Sequence, residues 1–283
     1  MERIRIVTDS TADVPPTLAT ALGITVVPLN VHFGRETYRD GIDLTTDRFY
    51  EMLTSHQIHP TTSQPSVGTF LETYERLSAE ADHIFSIHIS GKLSGTLNSA
   101  QLAQAAYPPG RDGCRITVID SKLASLGLGL VVIRAAEAVR DGATAAEVYG
   151  LVERLLSRTH VRFFVETLEY LQRGGRIGRA QALLGGILSI KPILKIEDGE
   201  VHPVEKVRTR GKAIERLVEF VGSFREIERL AIVYVNTPDD AMQVCDRVQS
   251  AVSSERIIVG PIGPVIGAHI GPGGLGVMVQ AAG

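Results

Sequence analysis

Cysteine is scarce in this chain: two thiols, Cys114 and Cys245, stand far apart among 283 residues. Without C-x-x-C spacing there is no sign of a disulfide framework or a thiolate metal site, and both thiols are expected to be buried as small apolar side chains. An excess of charge is lacking too. A formal net charge of -3 offers no overall attraction to nucleic acid or to an anionic membrane surface. No apolar run reaches the roughly 18 residues needed to span a bilayer. The opening MERIRIVTDS is charged and enters a strand pattern at once, without the apolar stretch of a signal peptide. A soluble, cytoplasmic protein is the expectation. The sequence also has no long Gly/Ser linker and no repeat of solenoid period.

What is present points to an α/β protein. Hydrophobic residues make up 44% of the chain, enough for proper cores. They fall in short β-branched runs (RIRIVT, ITVVPLNV, HIFSIHI, RITVIDS) that alternate with helical patterns, and the runs lack clean polar alternation, as strands covered on both faces do. A second α/β unit follows, in which ILKIEDGEVHPVEKV reads as a hairpin turning at Asp198 and Gly199. The expected organisation is two α/β domains with mainly parallel sheets, residues 1–155 and 156–283, with a ligand in the crevice between them.

HIGPGGLGV, residues 269–277, matches G-x-G-x-x-G at Gly271, Gly273 and Gly276. A dinucleotide site needs a helix after those glycines, and the residues that follow, GVMVQAA, read as a strand. The nucleotide reading is rejected. Polar side chains gather instead at strand ends: Thr8 to Thr11, Ser90 to Thr96, Asp120 and Ser121, and the loop HPTTSQPS at residues 59–66. Helix capping accounts for Thr11, Asp13 and Ser121. It accounts less well for TTSQPS, held between prolines, and for SGKLSGT, whose glycines let backbone approach a ligand closely. Hydroxyls, an imidazole and glycine N–H groups suit one small anion, best a carboxylate. SGKLSGT is no Walker A loop, Ser94 lies in no G-x-S-x-G elbow, and HIHIS and HQIHP provide no zinc-like ligand set. No metal and no catalytic set is expected.

In order along the chain, VTDSTADVP, YRDGIDL, TTSQPS, SGKLSGTLNSA, VIDSKLASLGLG, FVETLEYLQRGGRIG, ILSIKPILKIEDG, EKVRTRGKA and HIGPGGLG resemble the DegV family of bacterial fatty-acid-binding proteins. The resemblance implies a long-chain fatty acid, such as palmitate, stearate or oleate, lying between two α/β domains, and no cofactor. By matching positions, Thr62 and Ser94 carry over as donors to the carboxylate, with His269 beside them. Gly91 and Leu97 depart from the common pattern, which has a second Ser and an aromatic there. Several relatives are subunits of a fatty acid kinase, which implies a separate kinase partner, acyl-phosphate formation and a role in phospholipid synthesis. Transient membrane contact and a monomeric chain are separate expectations. Leu183, Leu184, Ile187, Leu188, Ile190, Phe163 and Phe164 are the candidate tunnel wall. Two basic runs hold Arg173, Arg176, Arg179, Arg208 and Arg210, of which Arg173, Arg176 and Arg208 are the candidates for partner or phosphate contact. The alternative is a stand-alone enzyme. It would be a serine hydrolase or acyltransferase using Ser94 with His269, or a phosphotransferase of the dihydroxyacetone-kinase type with Asp9, Asp13 and Asp120 as its acidic site.

Overall fold

A computed structural model of the chain describes residues 2–55, 59–108, 113–184 and 190–283. The first half runs β1 (Ile4–Asp9), α1 (Pro16–Ala21), β2 (Thr25–Val27), β3 (Asn30–Phe33), β4 (Glu36–Arg39), α2 (Thr46–Ser55) and β5 (Thr61–Ser63). It continues through α3 (Val67–Ser78), β6 (His83–His88), α4 (Thr96–Ala106), β7 (Arg115–Asp120), α5 (Leu126–Arg140) and α6 (Ala145–Arg158). The second half has β8 (Thr159–Phe164), α7 (Glu169–Arg173), β9 (Lys191–Glu197), β10 (Glu200–Val207) and α8 (Arg210–Gly222). After these come β11 (Ile227–Tyr234), α9 (Pro238–Val248), β12 (Ile257–Pro261), α10 (Pro264–Ile270) and β13 (Leu275–Ala281).

The first sheet, ordered β2-β1-β6-β7, is parallel throughout, as the unbroken apolar runs require. A small antiparallel sheet, β4-β3-β5, hangs beside it and carries Thr62. The second sheet, β10-β9-β8-β13-β11-β12, corrects the expectation of a mainly parallel arrangement there. Its pairs are antiparallel except β11 with β12. The hairpin at Asp198 and Gly199, both at positive φ, accounts for one of these pairs. The apolar strand after the glycine turn accounts for two more, because β13 slots between β8 and β11 against both. Only β11-α9-β12 makes the parallel crossover that the alternating pattern suggests.

Helix α5 shows why the two sheets form one body. Its first eight residues, Leu126 to Ile133, are all apolar or glycine and all buried, the pattern of a helix segment enclosed by protein on every side. It packs on β1 and β6 of the first sheet and on β8, β11 and β13 of the second. Gly129 lets it close on the backbone, since a Cβ there would overlap the carbonyl oxygen of Ala12. One buried cluster accordingly runs from Ile6 and Ile87 through Val131 to Val161, Val233 and Met278. On the far face of the second sheet, α8 and α9 cover a separate cluster containing Phe164, Leu217 and Val244.

Candidate functional site

A narrow cavity lies between the two sheets, lined by residues from both. The second sheet contributes Val161, Phe163, Val233 and Met278, and β9 and β10 add Ile196 and Val201. Helix α10 presents Val265, Ile266, His269 and Ile270, positions that share one helical face. The polar lining collects around Thr62, Ser63, Gln64, Ser94, Arg176 and His269, with Thr11 and Ser125 elsewhere in the wall.

Thr62 and His269 meet directly: Thr62 Oγ1 and His269 Nε2 are 2.8 Å apart, across 207 positions of sequence. His269 sits in the last turn of α10, not in the glycine turn itself. Pro264 at the start of that helix and Gly271, at φ 71, just past its end are the signals that could have located it. The other ring nitrogen, Nδ1, is buried with no hydrogen-bond partner among the described residues and packs on Gly174, where a Cβ would overlap it. Burial, with Arg176 and His59 adding positive charge, pushes the imidazole pKa down to about 4. His269 is therefore neutral near pH 7.

Ser94 lies in the neighbouring wall, its Oγ accepting the Thr96 N–H at 3.3 Å and bonded to Thr96 Oγ1 at 2.9 Å. The two hydroxyl loops touch where the Gln64 amide lies against Gly95; a Cβ there would come within 3.0 Å of the amide nitrogen and the side chain would have to shift slightly. Ser63 is held by His32 Nε2 at 2.9 Å. Of the three candidate arginines, Arg176 is in the cavity wall, with Nε donating to the Leu93 carbonyl at 3.0 Å and Nη1 to the Gly174 carbonyl at 2.7 Å. Arg173 is exposed and paired with Glu169 at 2.5 Å, and Arg208 is exposed and outside the wall. Phe163 lines the cavity, but Phe164, one residue on, points to the other face of β8 under the Arg210 guanidinium, which removes it from the tunnel wall. Leu183 and Leu184 pack on the central cluster, and they and Ile190 lie outside the wall. Ile187 and Leu188 lie outside the described residues.

Among the described residues, the side chains of the enzyme alternatives are engaged with other partners. Ser94 is bonded to Thr96 and His269 to Thr62, and no carboxyl among the described residues backs His269 Nδ1 as a triad would require. An Asp-His-Ser line does exist elsewhere. Asp9 Oδ2 bonds His88 Nδ1 at 2.9 Å, and His88 Nε2 bonds Ser86 Oγ at 2.6 Å. Tyr74 closes it through its hydroxyl on Ser86 at 2.8 Å, and every member is 0% exposed and outside the cavity wall. This line is a structural network. Among the described residues no group of three or more His, Cys, Asp or Glu side chains is placed to hold a metal. Asp9 is engaged with His88, Asp13 with Ser125 and Gly263, and Asp120 with the N–H groups of Gly91 and Lys122.

Two other carboxyls near α10 make stability depend on pH. Burial pushes Asp13 up to about 8, opposed by the Ser125 hydroxyl and the Gly263 N–H, and it pushes Asp40 up to about 7. From about pH 4 to about pH 8 the folded chain therefore holds protons that the unfolded chain releases, so these groups lower stability as pH rises. His269 acts in the opposite sense: its contribution is present above about pH 6.5 and is lost as pH falls toward 4. Asp13→Asn is expected to flatten the loss of stability between about pH 5 and about pH 8 in urea titrations. An unchanged slope would show that Asp13 ionises normally in the fold.

The DegV family model, described as covering uncharacterised proteins, matches residues 3–282. A DegV domain-containing protein of Halalkalibacterium halodurans is 39% identical over 280 residues, covering 98% of both chains. Among solved structures, a DegV family protein from Thermus thermophilus, described as binding fatty acid, is 39% identical with a TM-score of 0.91, covering 99% of this chain and 100% of that one. DegV of Bacillus subtilis, described as a fatty acid binding protein, is 33% identical with a TM-score of 0.88 and full coverage of both chains. No helix among the described residues is long and apolar enough to cross a membrane.

Proposed function

The chain belongs to the DegV family, and from that premise we propose that it binds one long-chain fatty acid in the cavity and presents the carboxyl end to a separate kinase. The carboxylate is held by Thr62 and Ser94, with His269 supporting Thr62 from behind and Arg176 beside them. The cavity carries this reading: a slot lined by apolar side chains from both sheets and α10, with neutral hydroxyls and a neutral imidazole gathered at one place in its wall. Burying about 14 methylenes at roughly 0.8 kcal/mol each contributes on the order of 11 kcal/mol before ordering costs. The tail then supplies affinity and the polar cluster supplies orientation. A neutral His269 that donates through Nε2 to Thr62 Oγ1 leaves the Thr62 proton free for the ligand oxygen. The direct donors are neutral hydroxyls, and the Arg176 guanidinium, already tied to the Leu93 and Gly174 carbonyls, adds positive charge beside the carboxylate without clamping it. Residues 1–155 and 156–283 act in this reading as two units meeting at the ligand, in a monomeric carrier that has no catalytic set of its own and needs no metal or cofactor. Arg173 and Arg208 lie outside the wall and are left for contact with the kinase or its phosphate.

Mass spectrometry of the organic extract of the purified protein tests the reading. Wild type is expected to release about one equivalent of long-chain acid. Thr62→Ala/Ser94→Ala removes two hydrogen bonds to a charged group, worth about 1.5–3 kcal/mol each, and should bind at least a hundredfold more weakly. A wild type that carries no lipid and takes up no added acid would end the carrier reading. Turnover of an activated ester that is lost on Ser94→Ala would put a hydrolase in its place.

A further inference from the structure

The cavity has a second polar feature that carboxylate binding does not use. Ser125 and Thr11 stand in its wall, 4% and 0% exposed. Ser125 occupies the N-cap of α5, where serine ordinarily caps a backbone N–H, yet its side chain caps nothing. Its backbone lies at φ 52, ψ -151, close to a region that glycine takes readily and other residues rarely do. The hydroxyl is bonded instead to Asp13 at 2.5 Å, and Asp13 also accepts the N–H of Gly263 at 3.0 Å. A serine kept in a backbone that favours glycine implies that its oxygen is wanted where it stands.

Its position along the cavity follows from α10. Gly263 is the N-cap of that helix, and His269 lies in its last turn, bonded to Thr62. Six residues of helix advance about 9 Å. Ser125 is joined to that N-cap through the Asp13 carboxyl, so an acid with its carboxylate at Thr62 and its chain along α10 passes Ser125 near mid-chain, away from either end. Apolar side chains, Val265, Ile266, Val233 and Met278 among them, line the cavity beside this path. Thr11 Oγ1 gives its proton to Asp9, and Ser125 shares one with Asp13, so each oxygen keeps a hydrogen-bonding valence. A hydroxyl, which both donates and accepts, satisfies Ser125 whichever partner of the Asp13 pair carries the proton. A keto or epoxide oxygen can only accept.

We propose that the cavity selects long-chain acids bearing a hydroxyl near mid-chain, with Ser125 as its hydrogen-bond partner. This rests on the fatty-acid reading above and names the subclass of acid. The test is competition against labelled octadecanoate on protein stripped of lipid, using octadecanoate and its 3-, 10- and 17-hydroxy derivatives. The 10-hydroxy acid is expected to compete about tenfold better than octadecanoate and better than either isomer, the worth of one buried hydrogen bond. Ser125→Gly, which suits the backbone at φ 52, should bring the ratio of 10-hydroxy acid to octadecanoate affinity to one or below. A wild type that prefers octadecanoate, shows no positional preference, or keeps its ratio in Ser125→Gly overturns the proposal and leaves the fatty-acid reading standing. Binding of none of the acids overturns both.

Discussion

Val233→Trp is expected to leave the protein folded and without ligand. Val233 is 0% exposed, lies on the face of β11 toward α5 and forms part of the cavity wall. An indole at that point occupies space the acyl chain needs. Blocking passage of about half of a long chain, roughly seven methylenes at about 0.8 kcal/mol each, removes some 5–6 kcal/mol of binding free energy. A change of that size weakens affinity by more than about a thousandfold. Extra volume at a buried wall costs about 1–3 kcal/mol, so the melting temperature should fall by only several degrees while the protein stays folded. Val233→Ala widens the slot and should retain lipid. The check is lipid content by mass spectrometry beside thermal denaturation. A folded Val233→Trp protein that still carries a full equivalent of acid would mean that the chain does not run past β11.

The second large effect falls on stability. Asp9 ends β1 with its carboxyl wholly buried, accepting from Thr11 N and Ile89 N at 3.1 Å each, from the Thr11 hydroxyl, and bonded to His88 Nδ1 at 2.9 Å. Asp9→Ala leaves those groups unpaired in a place no water reaches. Each unmet buried donor costs about 1–3 kcal/mol, so a loss of about 3–5 kcal/mol is expected, a large share of the roughly 5–15 kcal/mol that holds a domain folded. Tyr74→Phe, at the other end of the same line, removes one hydrogen bond and should cost only about 1 kcal/mol. Urea denaturation of the two variants measures the difference. Equal, small losses would show that Asp9 adds nothing beyond a single hydrogen bond.

The polar half of the site was legible because loop chemistry is local. Pro60 and Pro65 bracket TTSQ and Gly91 and Gly95 stand within SGKLSGT, which marks both as loops, and both contribute to the cavity wall. Ser63 and Gln64, from the first of these loops, line it too. Ser125 escaped notice because a serine before a helix reads as a cap, and only its backbone angles and its bond to Asp13 show otherwise. The apolar half was less legible. Phe163 and Phe164 are indistinguishable in composition, and the pleat of β8 sends one to the cavity and the other to the core under α8.

The sequence by itself determined the α/β class, the family, the parallel first sheet, the hairpin at Asp198 and Gly199, and the loops that carry Thr62 and Ser94. All of these rest on periodicity, turn residues or ordered motifs, which act over a few neighbouring positions. Only the tertiary structure decided that the second sheet is largely antiparallel, that α5 is shared by both sheets, and that Arg176 lines the cavity while Arg173 does not. It also decided that His269 reaches Thr62 from the end of a short helix, 207 residues away, and that Asp9, His88, Ser86 and Tyr74 join in one buried line. Strand direction and the meeting of buried polar groups are set by contacts between distant parts of the chain. No local pattern encodes them, because each depends on which faces remain to be covered once the nearer elements have formed.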